Sequence, residues 1–157
     1  PDNTAVDVSK FTAVAWVNLT DSSLAYTLCK WETGAGTDSW IFYVTGGKLF
    51  GSTSTNGSYQ GRDLIGTTSV NTGVDTMISM TYDESVTSLH VNGVVDATTS
   101  AYTGALYNST TAVAVAGLGS GNGQLTNYMN GIIKGFQVYN RALSTNELLA
   151  LAQQGCR

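Results

Sequence analysis

Phe11-Thr12-Ala13-Val14-Ala15-Trp16-Val17-Asn18-Leu19 is the stretch that decides the fold. Phe11, Ala13, Ala15, Val17 and Leu19 fall at every second position, with Val14 and Trp16 between them. A two-residue period places one set of side chains on one face of a β-strand and the other set on the opposite face.

The same kind of segment recurs on both sides of it. Leu24 to Trp31 and Trp40 to Val44 read as strands, separated by the polar, Gly-rich Glu32 to Ser39. Gly46-Gly47 signals a two-residue hairpin, with Lys48 to Thr53 returning from it. Ser54 to Tyr59 reads as a loop, Gly61 to Gly66 as a short strand and Thr67 to Gly73 as a further loop. Thr76 to Tyr82, Thr87 to Val91 and Val94 to Thr98 are strands; Asp83-Glu84-Ser85 and Asn92-Gly93 turn the chain between them. Ala112 to Ala116 is a compact strand, and Leu118 to Asn127 a Gly/Asn-rich loop. In the last strand, Ile132, Lys134, Phe136 and Val138 are expected on one side, with Ile133, Gly135, Gln137 and Tyr139 on the other. Only the C-terminal end reads as helix. Ser144-Thr145-Asn146-Glu147 fits a capping box, Leu148, Leu149 and Leu151 follow, and Gly155 is the stop. Many short strands, turn signals between them and one terminal helix describe an all-β sandwich or barrel.

Composition agrees. The chain has 157 residues, suited to one domain with one core, and 42% of them are hydrophobic. Only 11% are charged, so Ser, Thr, Asn and Gly carry solubility. Net charge is −4 and no basic cluster exists, which leaves nucleic-acid binding and a polybasic membrane patch without footing. The apolar runs are too short to span a bilayer as helices. Pro1, with no Met before it, reads as a trimmed, processed or truncated start. Cys29 and Cys156 allow one disulfide if a strand residue and a C-terminal residue meet at the required separation; otherwise they are two thiols.

Three segments together resemble the laminin G-like jelly rolls of the concanavalin A-like kind. Phe11 to Val17 is similar to their early strand. Thr81-Tyr82-Asp83 followed by Leu89-His90-Val91-Asn92-Gly93 is similar to their central hairpin. Gly131 to Glu147 is similar to their closing strand and helix. The resemblance implies a two-sheet antiparallel jelly-roll sandwich with one short C-terminal helix, and a ligand-binding or adhesive role outside the cytoplasm. The chain departs from the pattern twice. Asp75 stands where the family commonly has Trp, and Lys134 where it often has an acid, which removes a carboxylate able to hold calcium. The segment before Phe11 is short, so the first strand is expected to be incomplete or supplied differently.

Catalysis has little to work with. A glycoside hydrolase needs two spaced carboxyls. Glu84 sits in a turn and Glu147 in a helix cap, leaving Glu32 with no acidic partner at a recognisable spacing. His90 is the only histidine, too little for a triad or a zinc site. Sugar binding needs flat apolar faces beside hydrogen-bonding groups. Trp31, Trp40, Tyr59 and Tyr128 supply candidate faces, and Asp63, Asn71, Asn122 and Asn127 candidate polar contacts. Trp16 reads as core; Trp31, Trp40 and Tyr59 fit a core or a ligand-facing role equally. Calcium is the one cofactor to consider, with Asp21, Asp63 and Asp75 as ligands, although no acidic cluster marks a site. Asn18, Asn56 and Asn108 head glycosylation sequons. Two functions compete. One is an extracellular binding or adhesion module with a glycan or protein-surface partner. The other is a structural surface protein, a virion or filament subunit assembled with neighbouring copies. A hydrolase ranks below both.

Overall fold

A computed structural model describes residues 7–34, 36–61, 63–101, 103–120 and 124–156. Its strands are β1 (Phe11–Leu19), β2 (Leu24–Lys30), β3 (Asp38–Thr45), β4 (Lys48–Gly57), β5 (Leu64–Ser69), β6 (Thr76–Tyr82), β7 (Thr87–Val91), β8 (Val94–Thr99), β9 (Ala114–Val115), β10 (Leu118–Gly119), β11 (Leu125–Thr126) and β12 (Gly131–Tyr139); one helix, α1 (Thr145–Gln154), ends the chain. They form two five-stranded antiparallel sheets, β12-β1-β6-β7-β8 and β5-β4-β3-β2-β9, with β10-β11 as a small hairpin. This is the expected two-sheet sandwich.

The alternation in β1 does what its period requires. Phe11, Ala13, Ala15, Val17 and Leu19 face the second sheet and join Leu28, Trp40, Phe42, Val44, Leu49, Ile78, Met80 and Leu89 in the central core. Phe11 stacks on Trp40, ring centroids 5.0 Å apart, clasping one sheet to the other. Val14 and Trp16 face outward, where α1 covers them: they pack with Met77, Leu143 and Leu148. The capping box forms, with the Ser144 hydroxyl accepting from the Glu147 amide and the Glu147 carboxylate accepting from the Ser144 amide. Arg141 adds a two-pronged contact to the same carboxylate, at 2.6 and 3.1 Å. The first sheet thus carries its own lid, whereas among the described residues no helix lies over the outer face of the second sheet.

Several sequence expectations are corrected. Ser54 to Gly57 continues β4 rather than starting a loop, because Ser52, Thr53 and Ser54 are buried and small hydroxyls fit between strands. The next strand runs Leu64–Ser69, later than the expected 61–66. Of 112–116 only Ala114–Val115 pairs, and the expected loop 118–127 contains the β10-β11 hairpin. In β12 a bulge at Lys134 switches the alternation. Ile133, Phe136 and Val138 pair with the inward residues Val17, Ala15 and Ala13, so Ile133 and not Ile132 faces the core.

Candidate functional site

On the outer face of the second sheet, register aligns large side chains across four strands. Tyr26 pairs with Tyr43, Tyr43 with Phe50, and Phe50 with Ile65. The rings touch in sequence, with centroids 4.9 Å apart for Tyr26–Tyr43 and 5.4 Å for Tyr43–Phe50. The row arises because β2, β3 and β4 carry apolar residues on both faces: Phe42, Val44 and Leu49 fill the core while Tyr26, Tyr43 and Phe50 remain partly exposed outside. Solvent-facing positions of an antiparallel sheet are usually polar, so a surface aromatic row points to a contact.

At one end this row opens into a cleft of about 290 Å³, lined by Tyr26, Trp31, Thr33, Gly34, Asp38, Ile41, Tyr43, Ser52, Tyr59, Asp63 and Leu118. That is small-molecule size, at the lower end of the usual range. Trp31 follows β2, and the segment between β4 and β5 brings Tyr59 edge-on to it, 6.1 Å away at 71°. The Tyr59 hydroxyl donates to Asp63 Oδ2 at 3.0 Å. Asp38 opens β3 and is 6% exposed, and its Oδ1 has no hydrogen-bond partner among the described residues. Burial pushes this carboxyl up to about 6; the backbone amides of Glu32 and Tyr59 oppose the shift and the Glu32 charge adds to it. Burial also raises the Tyr43 and Tyr26 phenols, with the Asp63 charge contributing to both. The cleft therefore offers aromatic faces, phenol hydroxyls and two carboxyls, one of them holding an unused acceptor.

Of the residues singled out in the sequence, Trp31, Tyr59 and Asp63 meet here, Trp31 with only 7% of its surface exposed because it also packs with Cys29, Ile41, Ala114 and Leu118. Trp40 does not: it has no exposed surface and is spent on the core. Asn71, Asn127 and Tyr128 are exposed but lie outside the cleft, and Asn122 falls outside the described residues. The expectation missed Tyr26, Tyr43 and Asp38. The all-apolar run Trp40 to Val44 in an antiparallel strand was the signal for the tyrosines. Asp38 also stands close enough to Glu32 to feel its charge, supplying the acidic neighbour that linear spacing did not reveal.

The calcium candidates do not converge. Asp21 accepts from the Ser23 amide and hydroxyl at 2.8 and 2.9 Å. Asp75 accepts from the Asn18 amide at 2.7 Å and pairs with Lys134, and Asp63 is held by Tyr59. Among the described residues no three His, Cys, Asp or Glu side chains group as metal ligands. The two cysteines are free, which overturns the bridge. Cys29 is buried on the outer side of the second sheet, whereas Cys156 is exposed over Gly135 of the first. Of the sequon asparagines, Asn56 and Asn108 are exposed and Asn18 is half-buried against Asp75.

Two five-stranded antiparallel sheets stacked around one core form a β-sandwich, and this one carries an aromatic cleft on an outer face. The family model Laminin_G_3, concanavalin A-like lectin/glucanases superfamily, matches residues 1–149, and the chain belongs to that family. Among solved structures, the chain is similar to the CBM40 of Ruminococcus gnavus IT-sialidase bound to α2,3 sialyllactose, with a TM-score of 0.76 and 22% identity over 94% of this chain and 84% of that one. It is similar to the native heptameric SAP-like pentraxin of Limulus polyphemus, with a TM-score of 0.66 and 16% identity over 92% and 70%. Domain 4 of AbnA, a GH43 extracellular arabinanase from Geobacillus stearothermophilus, in complex with arabinotriose, gives 0.64 and 15% over 98% and 70%. No curated protein matches the chain.

Proposed function

We propose that this domain is a non-catalytic carbohydrate-binding module that takes its glycan on the outer face of the second sheet. One observation carries the reading: the Tyr26–Tyr43–Phe50 row runs into a cleft where Trp31 and Tyr59 stand beside a buried, unpartnered Asp38 oxygen. Pyranose rings lay their C–H patches on such faces and direct their hydroxyls to such acceptors. Two of the similar structures hold sugars, sialyllactose and arabinotriose, which supports the class of ligand without naming it. Such a module works outside the cytoplasm, attached to a larger protein. Among the described residues no helix is long and apolar enough to cross a membrane.

The test is a glycan array followed by calorimetry. Binding is expected, with at least a tenfold loss in Tyr59→Ala and in Tyr43→Ala while the partly exposed Tyr59 and Tyr43 variants stay folded by their melting curves. Trp31, 7% exposed among Cys29, Ile41, Ala114 and Leu118, is left in place because its truncation would also cost packing. Unchanged affinity in both tyrosine variants would remove the site. Catalysis on the same cleft is excluded if no reducing sugar is released; turnover that disappears in Glu32→Gln would reinstate it. A second reading, a subunit of a surface assembly, draws on the edge strand β12, where Ile132 and Phe136 are 62% and 48% exposed. A concentration-independent monomer by sedimentation would remove it.

A further inference from the structure

Among the described residues, the charge around the cleft is one-signed. Asp38 and Asp63 line it and Glu32 stands beside Asp38. The chain has 7 Lys and Arg, and none of the five described ones lines the cleft. Each is engaged elsewhere: Lys10 with Glu84, Lys30 with Asp7, Lys48 with the Thr67 carbonyl, Lys134 with Asp75 and Arg141 with Glu147. Arg62 and Arg157 lie outside the described residues.

From this arrangement we infer that the cleft is selective for neutral, hydroxyl-rich glycans and discriminates against sialylated, uronic or sulfated ones. The inference rests on the glycan-binding reading above and adds the substrate class. An ionised carboxylate only accepts hydrogen bonds, and Asp38 keeps one oxygen unfilled in the wall of the cleft, so that wall suits a donor, such as a sugar hydroxyl, and not a second acceptor. A buried acceptor left unmatched is costly, and this one is 6% exposed with no partner among the described residues. A ligand carboxylate or sulfate at the same place would bring acceptor against acceptor and negative charge against two or three carboxylates. Low-dielectric aromatic walls strengthen that repulsion. The discrimination is therefore built from a repulsive element as well as an attractive one. The tyrosine hydroxyls do not reverse the sign, since a phenol donates one hydrogen bond but brings no compensating charge.

The experiment uses matched oligosaccharide pairs that differ only in a terminal sialic acid or sulfate, titrated by calorimetry at pH 7.5, together with neutral glucan, galactan and arabinan oligosaccharides. Expected is binding to at least one neutral member, at least tenfold tighter than to its anionic counterpart. Raising salt should narrow the gap. Asp63→Asn, which replaces a carboxylate in the segment between β4 and β5, should improve binding of the anionic member relative to the neutral one. Asp38→Asn should weaken the neutral member, and Arg62→Ala should leave the neutral preference in place. An anionic member bound as tightly as its neutral partner, or more tightly, overturns the inference and leaves the glycan-binding reading standing. Absence of binding to either member of every pair, and to the neutral oligosaccharides, overturns both.

Discussion

Asp75 and Lys134, 59 positions apart in sequence, form an ion pair. They are the two residues at which the chain departs from the pattern its family resemblance leads one to expect, and the departures meet. Lys134 is the bulge residue of β12, skipped when the register passes from Trp16–Gly135 to Val17–Ile133. Its ammonium, with the Asn18 amide, holds the Asp75 carboxyl below the usual range. A cation supplied by the chain therefore sits against the carboxylate that calcium would have used.

Removing or adding metal should accordingly do nothing at this corner. Melting curves in EDTA and in millimolar calcium are expected to superimpose. A calcium-dependent rise of several degrees would show that these aspartates hold an ion after all. Lys134→Glu should lower the melting temperature by setting two carboxylates together, and combining it with Asp75→Lys should recover part of the loss. The pair is exposed, so both effects should be small and shrink with salt.

Gly93 carries a larger share of stability. With Asn92 at φ 52° and Gly93 at φ 79°, this turn has two left-handed residues, the geometry a two-residue hairpin prefers. A Cβ on Gly93 would fall 2.7 Å from the backbone of Leu149 in α1. Gly93→Ala should thus cost the left-handed penalty of about 1–2 kcal/mol plus displacement of the helix, about 1–3 kcal/mol more. Gly73, at φ 73° with nothing within 4 Å of its would-be Cβ, is the control; Gly73→Ala should show only the first cost. Equal denaturation midpoints for the two variants would mean that α1 does not press on this turn.

The hairpin and the helix were legible from Asn92-Gly93 and from Ser144 to Glu147 because each signal is local. The two faces of β1 were legible because a two-residue period survives any tertiary context. What escaped was set by partners distant in sequence. The run Ser54 to Gly57 has the composition of a loop, yet it continues β4, with Gly57 paired to Asp38 of β3. The bulge at Lys134 depends on pairing with β1. Trp31 and Trp40 looked equivalent on either side of a polar segment. Only pairing with β4 puts Trp40 inward on Phe11, while Trp31, past the end of β2, turns to the cleft. The cleft itself joins residues from 26 to 118, a convergence no spacing announces.

The two thiols should behave differently. Cys29 is 1% exposed and burial pushes its thiol up to about 11, so at neutral pH it is protonated as well as covered. Cys156 is exposed. A disulfide-exchange reagent should therefore titrate one thiol per native chain at pH 8, and two after denaturation. Two reactive thiols in the native protein would mean that the β10-β11 side of the second sheet opens readily. None in either state, without reductant, would restore the bridge.

The acid limb of stability should be governed by two groups that work against each other. His90 is 3% exposed, and burial pushes its imidazole down from 6.5 to about 4. The unfolded chain then binds a proton that the native chain refuses, so this stabilisation is complete above pH 6.5 and is lost as pH falls towards 4. Asp38 is shifted the other way, from 3.8 to about 6. The native chain binds the proton more tightly, so its stabilisation is complete below pH 3.8 and is lost as pH rises through 6. Each group tilts the curve by up to about 1.4 kcal/mol per pH unit, with opposite sign in the shared window. Wild-type stability should consequently vary little between pH 4 and 6, apart from carboxylates such as Glu147 that are held low. Asp38→Asn leaves His90 unopposed, and stability relative to wild type should rise with pH across that window. His90→Gln leaves Asp38 unopposed, and the relative stability should fall. Urea denaturation at half-unit pH steps reads both slopes, and parallel curves for all three proteins would show that neither group titrates differently in the folded state.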